Sequence, residues 1–419
     1  MSKLESCHLM SISNFFYKIT DLINMEMVCK KFKGFMDLFD YNPISLTTKT
    51  INYFPNVKNY ICLKAMMKSL RVFEEVIVWY CVRYDTVHEY NDPTIKFKHV
   101  RFTDGDRKIY GITIPTCVEK IGCDCFNDCD DLVDLDIPQN VKIVGDKSFG
   151  NCIHLHNVTI PSSIRKLDSL CFCWCRNLRN VDISYGITRI FDNCFVGCDS
   201  LSSIVLPSSV QYIDSECFDG CSELTHIEIP SSVKQFGDGC FEKCYSLTSV
   251  EFPASIHSIG SCCFSGCSKL SSVTIPESVN SIQAFCFKDC NNLTDVKIPS
   301  NVTLFDYGSF YGCNDLSSIL IPKRVNSFSD YCFDNCFDNC CSLSSITIPK
   351  SVNSFGKYCF NNCRSLSDLI IDRNVESIGD YCFDNCISLS YLEVPYLTSI
   401  GKNCFPSYIT VHYNYFNFN

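Results

Sequence analysis

The side chains whose type and spacing could do chemistry in this 419-residue chain are cysteines, 33 of them. Most stand in the motif Cys-Phe-x-x-Cys, as at Cys240-Phe241 to Cys244 and Cys263-Phe264 to Cys267. That separation fits the C-x₂₋₄-C pairs that supply zinc ligands, four of which must converge tetrahedrally. Repetition argues against the metal. Eleven cysteines precede a motif phenylalanine: Cys125, Cys171, Cys194, Cys217, Cys240, Cys263, Cys286, Cys332, Cys359, Cys382 and Cys404. Twelve more follow three residues after it, from Cys129 and Cys152 to Cys363 and Cys386. A dozen such pairs would demand a row of metal sites, and the eight histidines keep no fixed place beside them. Neither a metal nor a cofactor is expected. Catalytic signatures are missing too, with no G-x-S-x-G, P-loop or H-E-x-x-H stretch, so no enzymatic activity is expected.

The motif is positioned by a repeat. Prolines fall at Pro115, Pro138, Pro161, Pro207, Pro230, Pro253, Pro276, Pro299 and Pro322, with Ser184 in the skipped slot, a step of 23 residues. One step of 27 leads to Pro349, and Asp372 and Pro395 restore 23. The four added residues match a second Phe-Asp-Asn-Cys, 337 to 340, copied directly after 333 to 336. Loops absorb such length cheaply.

Each unit reads as one coil of a rod. Leu247, Val250 and Phe252 place apolar residues at n, n+3 and n+5, and the last two alternate with polar neighbours as a half-buried strand requires. Proline then ends the pairing, having no amide hydrogen to donate. An apolar pair follows, such as Val233 with Phe236, and often a glycine such as Gly237 or Gly260, read here as a tight corner. The Cys-Phe-x-x-Cys segment is too short for a full helix and is predicted to form a single helical or 3₁₀ turn. A column of phenylalanines, from Phe126 to Phe405, should stack inside. Repeat position therefore accounts for the two cysteine columns as buried thiols. Cysteines stacked at strand spacing also fall within disulfide reach, so an oxidising setting could cross-link adjacent coils.

In register over residues 109 to 405, these units resemble the BspA-type leucine-rich repeat, Leu-x-x-Ile-x-Ile-Pro-x-Ser-Val-x-x-Ile-Gly-x-x-Ala-Phe-x-x-Cys. The departure is cysteine where that pattern has alanine, a quiet exchange of two small, readily buried residues. The resemblance implies a β-rich solenoid, a right-handed leucine-rich-repeat rod of about 13 units with a parallel sheet on one face and short helical or 3₁₀ turns elsewhere. It also implies protein binding, in surface proteins of bacteria and protozoa as well as in intracellular ones.

In such a rod the n+2 and n+4 strand residues point outward and differ from unit to unit. The stretch taken as the recognition surface is His226, Glu228, Ser249, Glu251, Ser272, Thr274, Asp295 and Lys297. Across all units the outward residues include eight acids and one lysine, Lys297. Such a face favours a basic protein partner. The formal net charge is −10 with the charges interspersed, which gives no footprint for nucleic acid. No run of about 18 apolar residues suggests a membrane span. A monomer is expected.

Residues 1 to 45 have helical periodicity, through Leu9, Ile12, Phe15 and Phe16 and then, after Asp21 as N-cap, Leu22, Met25, Val28, Phe32 and Met36. They read as a small helical cap on the solenoid. Ile19 to Leu22 and Met27 to Lys33 also resemble the second half of an F-box, while Leu9 to Ile12 depart from its usual opening. That resemblance implies an Skp-type adaptor held through Leu22, Val28 and Phe32, and the recruiting subunit of a cullin-type ubiquitin ligase. Residues 46 to 108 form an irregular connecting region with a buried strand over Val76 to Val82 and a loop over Asp85 to Pro93, and 406 to 419 a C-terminal strand or tail. Without a signal-peptide pattern the chain is expected in the cytoplasm, the alternative being a BspA-like adhesion protein on the cell surface, exported without one.

Overall fold

The computed structural model describes residues 59–62, 75–78, 80–316, 318–332 and 345–414. Residues 1 to 45, expected as a helical cap, Phe333 and the duplicated Phe-Asp-Asn-Cys lie outside the described residues. The chain divides into two compact units, residues 1–111 with 115–121, and residues 112–114 with 122–419.

In the first unit, Asn59–Cys62, Glu75–Val78 and Ile95–Phe97 pair as a parallel sheet. Val82–Arg83, Val100–Phe102 and Lys120–Ile121 form a second parallel set. The stretch expected as a loop begins in a helix instead, α1 (Tyr84–Tyr90). Its start is tied down from outside, which local polarity does not reveal. Tyr84 packs 5.8 Å from Phe102 and 5.1 Å from Tyr110, and the Asp85 amide donates to Asp106 Oδ1 at 2.9 Å. Asp106 lies at the start of α2 (Asp104–Tyr110) and closes a capping box with Thr103. A buried carboxylate with three donors around it is satisfied rather than available.

The second unit is a stack of parallel coils held by three sets of bonds. The first set is the expected one: strands such as Asn157–Ile160, Asn180–Ile183 and Ser203–Val205 pair in register, Asn180 opposite both Asn157 and Ser203. The second set joins the Val-x-x-Ile segments, which the sequence shows only as an apolar pair. Arg189–Ile190, Tyr212–Ile213, Gln235–Phe236 and Ser258–Ile259 pair in one parallel ladder, and the same segments of six later coils, from Ser281–Ile282 to Ser399–Ile400, pair in a separate one. The inner residues of both ladders are buried.

The third set lies in the cysteine motif and departs from the expected helical turn. The residue two before each phenylalanine is left-handed: Asp124, Lys147, Leu170, Asn193 and Glu216 have φ from 52° to 59°. The residue two after it is left-handed as well, as at Asp128, Asn151 and Trp174. This alternation turns every second amide toward the next coil. Lys147, Phe149 and Asn151 donate to the carbonyls of Ser169, Cys171 and Cys173 at 3.0, 2.9 and 2.7 Å. Non-glycine residues rarely adopt this conformation, and here the bonds to the next coil hold it in place.

Inside, the phenylalanines stack with centroids 5.1 to 5.7 Å apart, Phe241 to Phe264 at 5.3 Å and Phe264 to Phe287 at 5.7 Å. Gly237 and Gly260 do not mark a positive-φ corner, since neither is left-handed. They permit close approach of coils: a Cβ on Gly260 would lie 2.5 Å from the carbonyl carbon of Gly237.

Candidate protein-binding face

Chemistry at the cysteines depends on thiolate formation, and the packing opposes it. The described members of both columns are buried, and each of them is a free thiol. In the second column the thiols donate to the phenylalanine carbonyl of the coil before: Cys244 to Phe218 O, Cys267 to Phe241 O and Cys290 to Phe264 O, each at 3.2 Å. Burial pushes these thiols well above the usual cysteine range, with neighbouring thiols adding to it. Cys332 is pushed up to about 12, again by burial. Among the described residues no three His, Cys, Asp or Glu side chains cluster as a metal site would need. The motif that looked like chemistry is a hydrogen-bonded lining of the core.

The outward strand residues are exposed where the strand period puts them. Asp134, Asp136, Asp182, His226, Glu228, Glu251, Ser272, Thr274, Asp295 and Lys297 all face solvent, and Ser249 is half-buried. Register brings five of the eight candidate residues together: Ser249 lies opposite Ser272, Ser272 opposite Asp295, and Thr274 opposite Lys297. His226 and Glu228 lie beside a break. On this ladder their segment meets the preceding coil through the isolated bridge of Val205 with Glu228 and forms no strand paired with Ser249–Val250.

Next to that break is a shallow depression of about 320 Å³, lined by Ser249, Val250, Glu251, Phe252, Ser272 and Thr274. Phe252 stands where most coils carry isoleucine or leucine, and its half-buried ring packs 5.9 Å from Phe236 and 5.6 Å from Phe264. Sequence reasoning passed over Phe252 as a framework residue. Its bulk beside a second aromatic, Phe236, was the available signal. Further along, the face turns apolar: Leu320 is 78% and Ile370 76% exposed. At its end Tyr391 Oη and Asn414 Nδ2 donate to the carboxylate of Glu393 at 2.6 and 2.7 Å, holding that group below the usual range.

Two other surfaces were not foreseen. The outward residues of the second ladder are basic in the early coils, with Lys142, Arg165, Lys166, Arg189 and Lys234 exposed. Arg189 lies 5.3 Å from the centre of the Phe191 ring and 5.7 Å from that of Tyr212, and pairs with Asp214 at 2.6 Å. On the turn segment of the late coils, Tyr307, Tyr331, Tyr358 and Tyr381 form a row. Their centroids are 5.2, 4.8 and 4.9 Å apart, and the last three rings stack within 11° of parallel. Leu22, Val28 and Phe32, the expected adaptor contacts, lie outside the described residues.

Stacked parallel coils with an invariant interior and a variable outward strand face define a leucine-rich-repeat solenoid. The sequence pattern of the BspA type leucine rich repeat region matches residues 100–225, 211–336 and 334–418, and the chain belongs to that family. A leucine-rich repeat protein from Bacteroides ovatus is similar in structure, with 23% identity, 85% of this chain and 87% of that one covered, and a TM-score of 0.67. A leucine rich cell surface protein from Faecalibacterium prausnitzii shares 24% identity over 81% of this chain and 88% of that one, with a TM-score of 0.44. A T. pallidum leucine rich repeat protein shares 30% identity over 38% of this chain and 77% of that one, with a TM-score of 0.35. Among curated proteins none matches.

Proposed function

We propose that the chain is a non-enzymatic scaffold that binds another protein on the outward strand face between His226 and Lys297, in the manner of a surface or adhesion protein. The carrying observation is the register that unites Ser249, Ser272, Thr274, Asp295 and Lys297 beside the depression at Phe252. A shallow pocket with an aromatic wall and a charged rim suits a protruding side chain of a partner. Glu228, Glu251 and Asp295 around it favour a basic one.

Family membership supports a surface setting. It lends nothing to the ubiquitin-ligase reading, which rests on the F-box-like stretch alone, and nothing supports the cytoplasmic expectation. The test is capture of extracellular and matrix proteins on the immobilised full chain, set against a variant with Glu228, Glu251 and Asp295 all changed to alanine. The variant should lose the species that the parent retains. An unchanged set of captured proteins would overturn the assigned face, and failure of a membrane-impermeant reagent to label the protein on intact cells would overturn the surface setting.

A further inference from the structure

The cysteine motif ends in a turn whose outward residues differ from coil to coil, and on four consecutive coils, from Trp174 to Tyr245, they make a shelf. Trp174 lies flat on the coil after its own. A Cβ on Gly197 would be 2.3 Å from Trp174 Cε3, so the ring rests on backbone that only glycine leaves open. Trp174 is still 46% exposed, which leaves the other face of the indole to solvent. Gly220 continues the floor, since a Cβ there would meet nothing nearer than the Gly197 backbone at 3.6 Å.

Beside this floor Arg176, Asp199, Ser222 and Tyr245 follow one another, one per coil. Backbone bonds hold them in step: the amides of Ser200, Glu223 and Ser246 donate to the carbonyls of Arg176, Asp199 and Ser222, each at 3.1 Å. The Arg176 guanidinium carbon is 5.9 Å from the centre of the Trp174 ring, at the margin of its open face. Arg176 Nε lies 4.0 Å from Asp199 Oδ2, beyond hydrogen-bond distance, so the donors of one and the lone pairs of the other stay on offer. Tyr245, 46% exposed, stands at the far end.

We propose that this shelf binds a straight chain of pyranose sugars, a β-1,4-linked oligosaccharide laid along the rod. The apolar C–H face of a pyranose covers an indole face, while its hydroxyls, donors and acceptors at once, take a guanidinium fork and a carboxylate together. Arg176 and Asp199 cancel in charge, which favours a neutral polyol over an anion or a cation. Length fits as well. Three coil steps of about 4.8 Å separate Trp174 from Tyr245, and a β-1,4-linked pyranose advances its chain by nearly one such step, so four sugars reach from one aromatic residue to the other. This inference does not depend on the proposed protein-binding function, because it uses the turn segment and not the strand face.

The experiment is calorimetric titration of the purified full chain with cellotetraose, chitotetraose and β-mannotetraose, each beside its disaccharide, and with maltotetraose as a curved, α-linked comparison. At least one β-1,4-linked tetraose should bind with a Kd below about 1 mM, about tenfold tighter than its disaccharide, and maltotetraose should bind more weakly. Trp174→Ala should remove binding of both lengths. Arg176→Lys, which keeps the charge and loses the fork, should weaken both. Tyr245→Ala should bring the tetraose down to the affinity of the disaccharide and leave the disaccharide unchanged. All three positions are exposed, and unchanged melting will show that the variants fold. No binding of any β-linked sugar up to about 10 mM, equal binding of maltotetraose, or a tetraose affinity indifferent to Trp174→Ala or to Tyr245→Ala would overturn the proposal.

Discussion

Phe264 and Glu251 lie thirteen positions apart on one coil, yet they answer to different constraints. Phe264 touches Phe241 below and Phe287 above, and its carbonyl takes the Cys290 thiol. A change there is felt in two neighbouring coils, so the interior admits one solution and repeats it. Glu251 is exposed, and the residues in its place on other coils range over aspartate, glutamate, threonine, valine, leucine, isoleucine and lysine. The interior therefore carries stability and the strand face carries identity, and each can be changed with little effect on the other.

The strongest test of the interior is alkali. Buried thiols such as Cys198, Cys221, Cys244, Cys267 and Cys290 hold their protons well above the usual range, while those of the unfolded chain ionise near pH 8.5. Above that pH the unfolded chain binds fewer protons than the folded one, so stability falls as pH rises, by about 1.4 kcal/mol per unit for each such thiol. Melting temperature should hold from pH 7 to 8 and drop steeply from pH 9 to 10. A flat profile would mean that the columns are oxidised or exposed.

Next in size is Phe264→Ala, which removes a fully buried ring from the stack and should cost about 3 to 5 kcal/mol. Denaturant unfolding should also broaden or split, because coils couple only to their neighbours. Cys267→Ala is smaller: it deletes the donor to Phe241 O, at about 1 kcal/mol. Cys267→Ser retains a hydroxyl donor there, and if the two variants melted alike the hydrogen bond would have no role. The smallest effect is Glu251→Ala, expected within about 0.5 kcal/mol of the parent while binding on the strand face weakens. A large loss of stability from that substitution would erase the distinction between the two surfaces.

The strand, the proline and the phenylalanine column were legible in the sequence because burial imposes the same residue type at the same place in every coil. The second ladder was not, since two residues such as Ser258-Ile259 are too short to show a period. The left-handed turns were hidden for a stronger reason. Leu170, Trp174 and Tyr358 are residues that disfavour positive φ, and the bonds that impose it run to carbonyls 22 residues further along the chain. Of the candidate face, exposure followed from alternation, and its neighbourhood in register followed from the period. The depression at Phe252 did not, because a residue counted as core also reaches the surface.

The tyrosine row makes part of this protein optically addressable. Stacked phenol rings 4.8 to 4.9 Å apart couple electronically, and Tyr331, Tyr358 and Tyr381 meet only while their coils remain aligned. Near-ultraviolet circular dichroism therefore carries a signal from the last third of the solenoid that the phenylalanine-lined early coils do not share, so loosening of one end is separable from melting of the whole without adding a label.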